Sequence, residues 1–252
     1  MGLFGLFGKR GKTLYFAGCT SRRFLRDSDD EYKQILNKLE IGYIELDKEI
    51  CCGLGLIDAG FEKDARKLAR KNYDLFKELN VNKIITSCPG CFKMFSEYKD
   101  FVLDWGIEVE HVIVSIAENL DADDIIYSNS SNVTYHDPCY LSRFGNVVDA
   151  PRKILRMIGY NVVEMWHNKE DTLCCGAGGG MIFNNKILAN RIAKKRIQEA
   201  EDVSVNKIVT SCPMCVHHLS ENSSEIVIES MSNVISSALG IKLEVSKDEG
   251  ED

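Results

Sequence analysis

The chain has 252 residues, of which 44% are hydrophobic and 27% charged, and its formal net charge is −7. That is the balance of one large globular domain or two modest ones. An acidic chain with no basic stripe argues against nucleic acid as a partner. No apolar run reaches the roughly 18 residues a membrane helix needs, so no transmembrane segment is expected.

The opening stretch "MGLFGLFGKR" is apolar, then basic. It is too short for a signal peptide, and Leu6 stands where a myristoylation motif needs Ser or Thr. It reads as a free terminus or a weak docking segment. Thr13–Ala17 predicts a strand that runs into Cys19. A helix follows, started by a capping box of Ser28 and Glu31, lined by Ile35, Leu36 and Leu39, and stopped at Gly42. Tyr43–Leu46 is the next strand, then Cys51-Cys52-Gly53. Apolar residues at 61, 65, 68, 69, 75, 76 and 79 have helical spacing. Lys83–Thr86 is a strand, and a helix starts near Pro89.

After a polar, Ser/Asn-rich join at 121–132 the order repeats. Pro151 opens a helix that Gly159 ends, Asn161–Met165 is a strand, "NKILANRIAKKRIQEA" is amphipathic, and Lys207–Thr210 leads to Cys212. The Lys/Arg-rich stretches 62–71 and 186–196 read as solvated faces, and Trp105 and Trp166 as packing. Strands alternating with helices imply an α/β fold of two tandem, pseudo-symmetric, Rossmann-like repeats with mostly parallel sheets. The expected division is 12–120, a linker at 121–132, 133–240, and an acidic tail at 241–252.

The ten cysteines carry most of the information. They form two sets of five: Cys19, Cys51, Cys52, Cys88 and Cys91, then Cys139, Cys174, Cys175, Cys212 and Cys215. The intervening gaps are 31, 35 and 2 residues in the first set and 34, 36 and 2 in the second, and no cysteine lies outside the pattern. "NKIITSCPGC" at 82–91 and "NKIVTSCPMC" at 206–215 agree at eight of ten positions. This is an internal duplication. Each cluster falls just after a strand, at the sheet edge where open α/β folds bind ligands.

In a chain with no export signal, and so expected in the cytoplasm, such thiols point to metal or redox chemistry. Three readings compete. Disulfides suit neither the reducing compartment nor the vicinal pairs. Structural zinc needs four ligands and leaves one thiol over in each half; it could also occupy one site only. Iron–sulfur clusters suit the glycines at 53, 55, 176 and 178–180, which let backbone N–H groups approach sulfides.

The pattern Cys-(31 to 39)-Cys-Cys-Gly-(35 to 36)-Cys-x-x-Cys resembles the cysteine-rich "CCG" domain. Two tandem copies are similar to the B subunit of heterodisulfide reductase and to the C-terminal half of its D subunit. They are also similar to iron–sulfur subunits of glycolate oxidase, lactate-utilisation and anaerobic glycerol-3-phosphate dehydrogenase systems. "YHDPCYLSRF", "APRKIL" and "DTLCCGAGGGM" carry the resemblance most closely, and it covers about 12–240.

The resemblance implies that the ten cysteines ligate two 4Fe–4S clusters of non-cubane type; zinc at one site stays open from the ligand chemistry alone. It implies an oxidoreductase subunit that reduces a small thiol disulfide and works with partner subunits. A ferredoxin-type iron–sulfur subunit, a flavoprotein, or both would supply the electrons, and a partner would make any contact with a membrane. The other reading is a non-catalytic adaptor between a flavin dehydrogenase and a quinone or ferredoxin. A third is a zinc-stabilised assembly subunit.

Several residues outside the cysteine sets have two readings each. His136 replaces Phe16 of the first copy three residues before the cysteine. It reads either as a proton donor to a leaving thiolate or as a strand-end histidine bonded to Asp137 or a carbonyl. Arg23 and Arg143 read as counter-charges to a cluster or substrate, or as surface ion-pair residues. His217 and His218 lie beside the site or at the surface, and His111 and His167 show no constellation.

Overall fold

The computed structural model describes residues 11–48 and 50–241. The expectations for the opening stretch 1–10 and for the acidic tail beyond 241 fall outside those residues. The first half runs β1 (Lys12–Phe16), α1 (Cys19–Phe24), α2 (Arg26–Lys38), α3 (Leu54–Asp58), α4 (Glu62–Glu78), β2 (Val81–Thr86), α5 (Pro89–Ser96), β3 (Glu108–His111) and α6 (Val112–Asn119). The second runs β4 (Asn132–Tyr135), α7 (Cys139–Gly145), α8 (Asp149–Ile158), β5 (Asn161–Val162), α9 (Met181–Asn184), α10 (Lys186–Asp202), β6 (Lys207–Thr210), α11 (Pro213–Asn222), β7 (Val227–Ser230) and α12 (Met231–Ala238).

Each half is a parallel sheet, ordered β1-β2-β3 in the first and β5-β4-β6-β7 in the second. Ile44 bridges Leu14 on the free edge of β1, through Tyr15 N–H to Ile44 O at 2.9 Å and Ile44 N–H to Thr13 O at 2.8 Å. The first half therefore repeats the order of the second, with a single bridge where β5 would be. The predicted strands 43–46 and 161–165 shrink to that bridge and to two residues. Both are sheet edges, where backbone groups can turn to solvent or side chains instead of a ladder.

In both halves the chain order reverses between the first strand and the one that follows the long helix. The gap at this switch point opens at the carboxyl ends of the strands. Residues from the two halves fill one shared core between the sheets. Tyr15, Ile35, Ile85 and Ile116 meet Tyr135, Ile154, Val209 and Ile235 there, all buried. The outer face of the first sheet is covered by Ala65, Ala69 and Phe76 of α4, and that of the second by Ala193, Ile197 and Ala200 of α10.

Helix ends repeat as well. Gly159 closes α8 at φ +105° with Tyr160 N–H on Leu155 O, a Schellman turn. Glu40 closes α2 the same way at φ +55°, with Ile41 N–H on Leu36 O at 2.9 Å. Gly42 is therefore not the stop; the turn comes two residues earlier on a non-glycine.

The capping box is also corrected. α2 starts at Arg26, and Leu25 at its N-cap gives no side-chain cap. Ser28 and Glu31 lie inside the helix and reach into the other half, where Ser28 Oγ meets Ser232 Oγ at 2.7 Å. Glu31 accepts from Ser232 Oγ at 2.6 Å and from Asn233 Nδ2 at 2.9 Å. Trp105 packs between Tyr98 and Tyr73, with centroids 5.0 and 5.7 Å away, whereas Trp166 is 86% exposed.

Candidate metal centre

Both cysteine sets assemble at the carboxyl edge of their sheets. Cys19 and Cys139 are the first residues of α1 and α7. Cys88 and Cys212 cap α5 and α11, whose Pro89 and Pro213 follow at once, and Cys91 and Cys215 lie in the first turns. Proline suits this place because the first helical N–H has no partner within the helix. The vicinal pairs precede Gly53 and Gly176, held at φ +94° and +95°. That backbone turns each glycine N–H back onto a sulfur, Gly53 to Cys51 and Gly176 to Cys174, both at 3.3 Å.

Within each half the five sulfurs are neighbours in the same order. Cys19 lies next to Cys51, Cys51 next to Cys52, Cys52 next to Cys91 and Cys91 next to Cys88. Correspondingly, Cys139 lies next to Cys174, Cys174 next to Cys175, Cys175 next to Cys215 and Cys215 next to Cys212. Cys215 Sγ lies 3.2 Å from Cys175 Sγ. All ten are free thiols.

Such crowding cannot carry five negative charges unaided. In the first half, hydrogen bonds from Cys51 and Cys91 hold Cys52 down to about 5. A contact with Cys51 pushes Cys19 up and contacts with Cys52 and Cys88 push Cys91 up, in both cases with burial. In the second, bonds from Cys139 and Cys175 hold Cys174 far below the thiol range, and Cys139 and Cys215 rise. Cys212 is also lowered, by its bond with Cys215, so Cys52 in the first half and Cys174 and Cys212 in the second are held down while neighbours stay protonated. Ionising the whole set needs a strong local positive charge.

Gly18 makes room for such a group. A Cβ there would lie 2.9 Å from Cys91 Sγ and 3.2 Å from Cys88 Cβ. Soft thiolates with backbone N–H donors and a side-chain-free approach are the donor set of an iron–sulfur cluster, and the residues fit one in each half.

His136 directly follows β4, beside the second set, and is fully buried. A ring nitrogen of His136, Cys175 Sγ and Cys215 Sγ lie within 4.8 Å of one another. Arg196 Nε–H donates to His136 Nδ1 at 3.0 Å. An Arg Nε–H only donates, so Nδ1 is the acceptor and Nε2 carries the imidazole proton. Burial and the Arg196 charge hold the ring neutral. Asp137 does not bond His136; its carboxylate takes both Arg152 Nη atoms at 2.7 and 2.9 Å.

Arg196 is the site residue that the sequence pattern hides. The stretch 186–196 reads as a solvated face, yet Arg196 is fully buried, bonding His167 O at 2.7 Å and the Glu199 carboxylate. A signal for it exists. Ala189, Ala193, Ile197 and Ala200 trace the buried stripe of α10, and position 196 falls on it.

The remaining candidates are placed as follows. Arg143 Nε bonds Glu170 O at 3.1 Å and its Nη2 bonds Thr172 O, so it braces the loop before Cys174. Arg23 is exposed in the last turn of α1. His218 is fully buried on α11, with neither ring nitrogen hydrogen-bonded. His217 faces Glu221 at 3.7 Å, and His167 pairs with Glu199. His111 caps α6, accepting from Ile113 N–H at 3.3 Å.

The fold and site define a duplicated α/β protein with five thiols at the switch point of each sheet. The cysteine-rich domain model matches residues 13–96 and again 133–220, more than half of the chain. The chain belongs to that family, in two tandem copies.

It is 33% identical over 247 residues to the D subunit of the dihydromethanophenazine:CoB–CoM heterodisulfide reductase of Methanosarcina barkeri, covering 90% of this chain and 59% of that one. It is 32% identical over 228 residues to the EtfAB:quinone oxidoreductase of Syntrophomonas wolfei, covering 83% and 31%. The B subunit of the fumarate reductase (CoM/CoB) of Methanothermobacter marburgensis is 29% identical over 211 residues, covering 82% and 41%. The chain spans 59% to 61% of the length of the heterodisulfide reductase subunits it matches.

Proposed function

We propose that this chain is an iron–sulfur subunit of a heterodisulfide-reductase-like oxidoreductase, moving electrons through clusters held by its ten cysteines. The observation that carries the reading is the recurrence of one connected order of five sulfurs at the same edge of two sheets. Repeats 12–120 and 133–240, joined by 121–132, each form one unit holding a non-cubane 4Fe–4S cluster. Cys19, Cys51, Cys52, Cys88 and Cys91 serve the first. Cys139, Cys174, Cys175, Cys212 and Cys215 serve the second. Zinc at one site is the competing occupancy.

A bound cluster supplies one-electron chemistry. The chain's own residues set its surroundings. The N-termini of α5 and α11 place partial positive charge at Cys88 and Cys212. Gly53 and Gly176 N–H groups donate to Cys51 and Cys174, and burial of Cys52, Cys91, Cys175 and Cys215 keeps water away. His136 is a hydrogen-bond donor to the second site rather than an acid, because a buried neutral imidazole gives up its proton poorly.

The substrate in this reading is a small thiol disulfide, and electrons arrive from a ferredoxin-type subunit, a flavoprotein, or both. The chain works in the cytoplasm and meets a membrane through a partner. Among the described residues no helix is long and apolar enough to cross one. The likeness to an EtfAB:quinone oxidoreductase favours a second reading, an adaptor between a flavin dehydrogenase and a quinone or ferredoxin.

Turnover of a small disulfide by the anaerobically reconstituted chain, driven by an artificial one-electron donor, separates the two. Thiol release that disappears in Cys19→Ser and Cys139→Ser supports the reductase. A protein that passes electrons to a quinone or ferredoxin and leaves every disulfide intact is the adaptor.

A further inference from the structure

The two cysteine sites are near copies in sulfur arrangement, but their surroundings are not. α4 and α10 superpose in sequence with an offset of 124, pairing Ala65 with Ala189, Ala69 with Ala193 and Asn72 with Arg196. His136 likewise stands where Phe16 stands. Both differences fall in the same place. In the first half Phe16 packs edge-on against Phe95, with centroids 4.9 Å apart. Asn72 spends its Nδ2 on Cys51 O and Tyr98 Oη, both at 2.8 Å. The pair offers the first site no spare donor.

In the second half the pair is a guanidinium and an imidazole. Arg196 takes His136 Nδ1, so Nε2 must carry the proton. That Nε2 is buried and has no hydrogen-bond partner, and neither has Arg196 Nη2. A third difference lies on α11. His218 stands where the first half has Met94, both fully buried, and neither ring nitrogen of His218 has a partner. Buried donors are rarely left unpaired in a native fold, so those of His136 and Arg196 beside Cys215 call for an acceptor at the site. The sulfurs of Cys175 and Cys215 lie within 4.8 Å of His136.

We infer that the second site is the higher-potential of the two, because His136, locked by Arg196, holds an unpaired Nε2–H ready for a cluster sulfur there, while Phe16 and Asn72 give the first site no such donor. The inference rests on the iron–sulfur reading above. Reduction adds negative charge to a cluster, and a hydrogen bond to its sulfurs stabilises the reduced form. His136 is a positioning residue in this account. It neither ligates nor delivers a proton, since its one lone-pair nitrogen is already occupied by Arg196.

The test is a redox titration of the anaerobically reconstituted full chain, with dithionite and mediators, followed by electron paramagnetic resonance. Wild type, H136F, R196N and H136Q are compared after iron analysis. Two one-electron waves are expected in wild type. H136F is expected to lower only the higher wave, by about tenfold in its reduction constant, ~59 mV. R196N keeps the imidazole but removes the lock, and lowers the same wave by less. H136Q, whose amide N–H reaches about as far as Nε2, retains most of the wild-type separation. Coincident waves in wild type, or an unmoved higher wave in both H136F and R196N, would overturn the inference while leaving the clusters in place. A nitrogen hyperfine coupling of ligand size, lost in H136F, would overturn it too. A chain that takes up no iron removes the parent reading and the inference with it, and the iron analysis reports that separately.

Discussion

Gly18 sits at φ +84° and ψ 156°, a backbone region that is essentially glycine-only. It also faces the first sulfur set at 2.9 Å from Cys91 Sγ for any added Cβ. Gly18→Ala should cost about 1–3 kcal/mol in strain and, more tellingly, lose about half of the bound iron, one cluster of two. Gly60→Ala is the control, with φ +82° and nothing within 4 Å of its Cβ. It should lose stability but no iron, and iron per folded chain separates the two effects.

His111 gives a pH prediction. Burial pushes its pKa down to about 3 from 6.5. The folded state therefore holds this ring neutral while the unfolded chain protonates it. Its contribution is complete above about pH 6.5 and is lost as pH falls from there towards about 3. Between pH 7 and 5.5 the metal-free reduced protein should lose about 1 kcal/mol from this group. His111→Asn keeps a capping acceptor and should lose that much less. Urea midpoints at the two pH values measure it, and an equal drop in both proteins would refute the assignment.

At the scale of elements, α2 and α12 hold the halves together through a small buried polar cluster. Glu31 Oε2 accepts from Ser232 and Oε1 from Asn233. Glu31→Ala leaves Ser232 without its carboxylate acceptor in the core and should cost about 1–3 kcal/mol by chemical unfolding.

The same residue shows what the sequence makes legible. Ser28 and Glu31 have capping-box spacing, and local pattern alone puts them at a helix start. Their true partners are about 200 positions away, which no local window contains. Arg196 is hidden for a different reason, because its charge outweighs its phase along α10 in any reading by residue type. The glycine rule finds the end of α8 at Gly159 and misses that of α2, where Glu40 tolerates φ +55°. The cysteine sets need no structure, since their spacing is the duplication itself. The exchange of Phe16 and Asn72 for His136 and Arg196 is only half visible, because pairing α4 with α10 requires the buried faces to be known.

At the scale of the molecule, the halves interlock rather than sit side by side. α1, which starts at Cys19, packs on α11, and α7, which starts at Cys139, packs on α5. Each cysteine-bearing helix thus leans on its counterpart's partner across the pseudo-two-fold, and the shared core runs between the sheets. The metal-free reduced chain should accordingly unfold in one cooperative transition, with fluorescence and far-ultraviolet dichroism midpoints coinciding. Two separated transitions would mean that the repeats are independent domains.

In the proposed function each repeat holds one iron–sulfur cluster. Iron, acid-labile sulfide and zinc per chain, measured after anaerobic purification and again after reconstitution, test it most directly. About eight irons with matching sulfide and no zinc are expected. About four irons with one zinc would make one repeat structural, and zinc alone, persisting through reconstitution under reducing conditions, would contradict the redox reading.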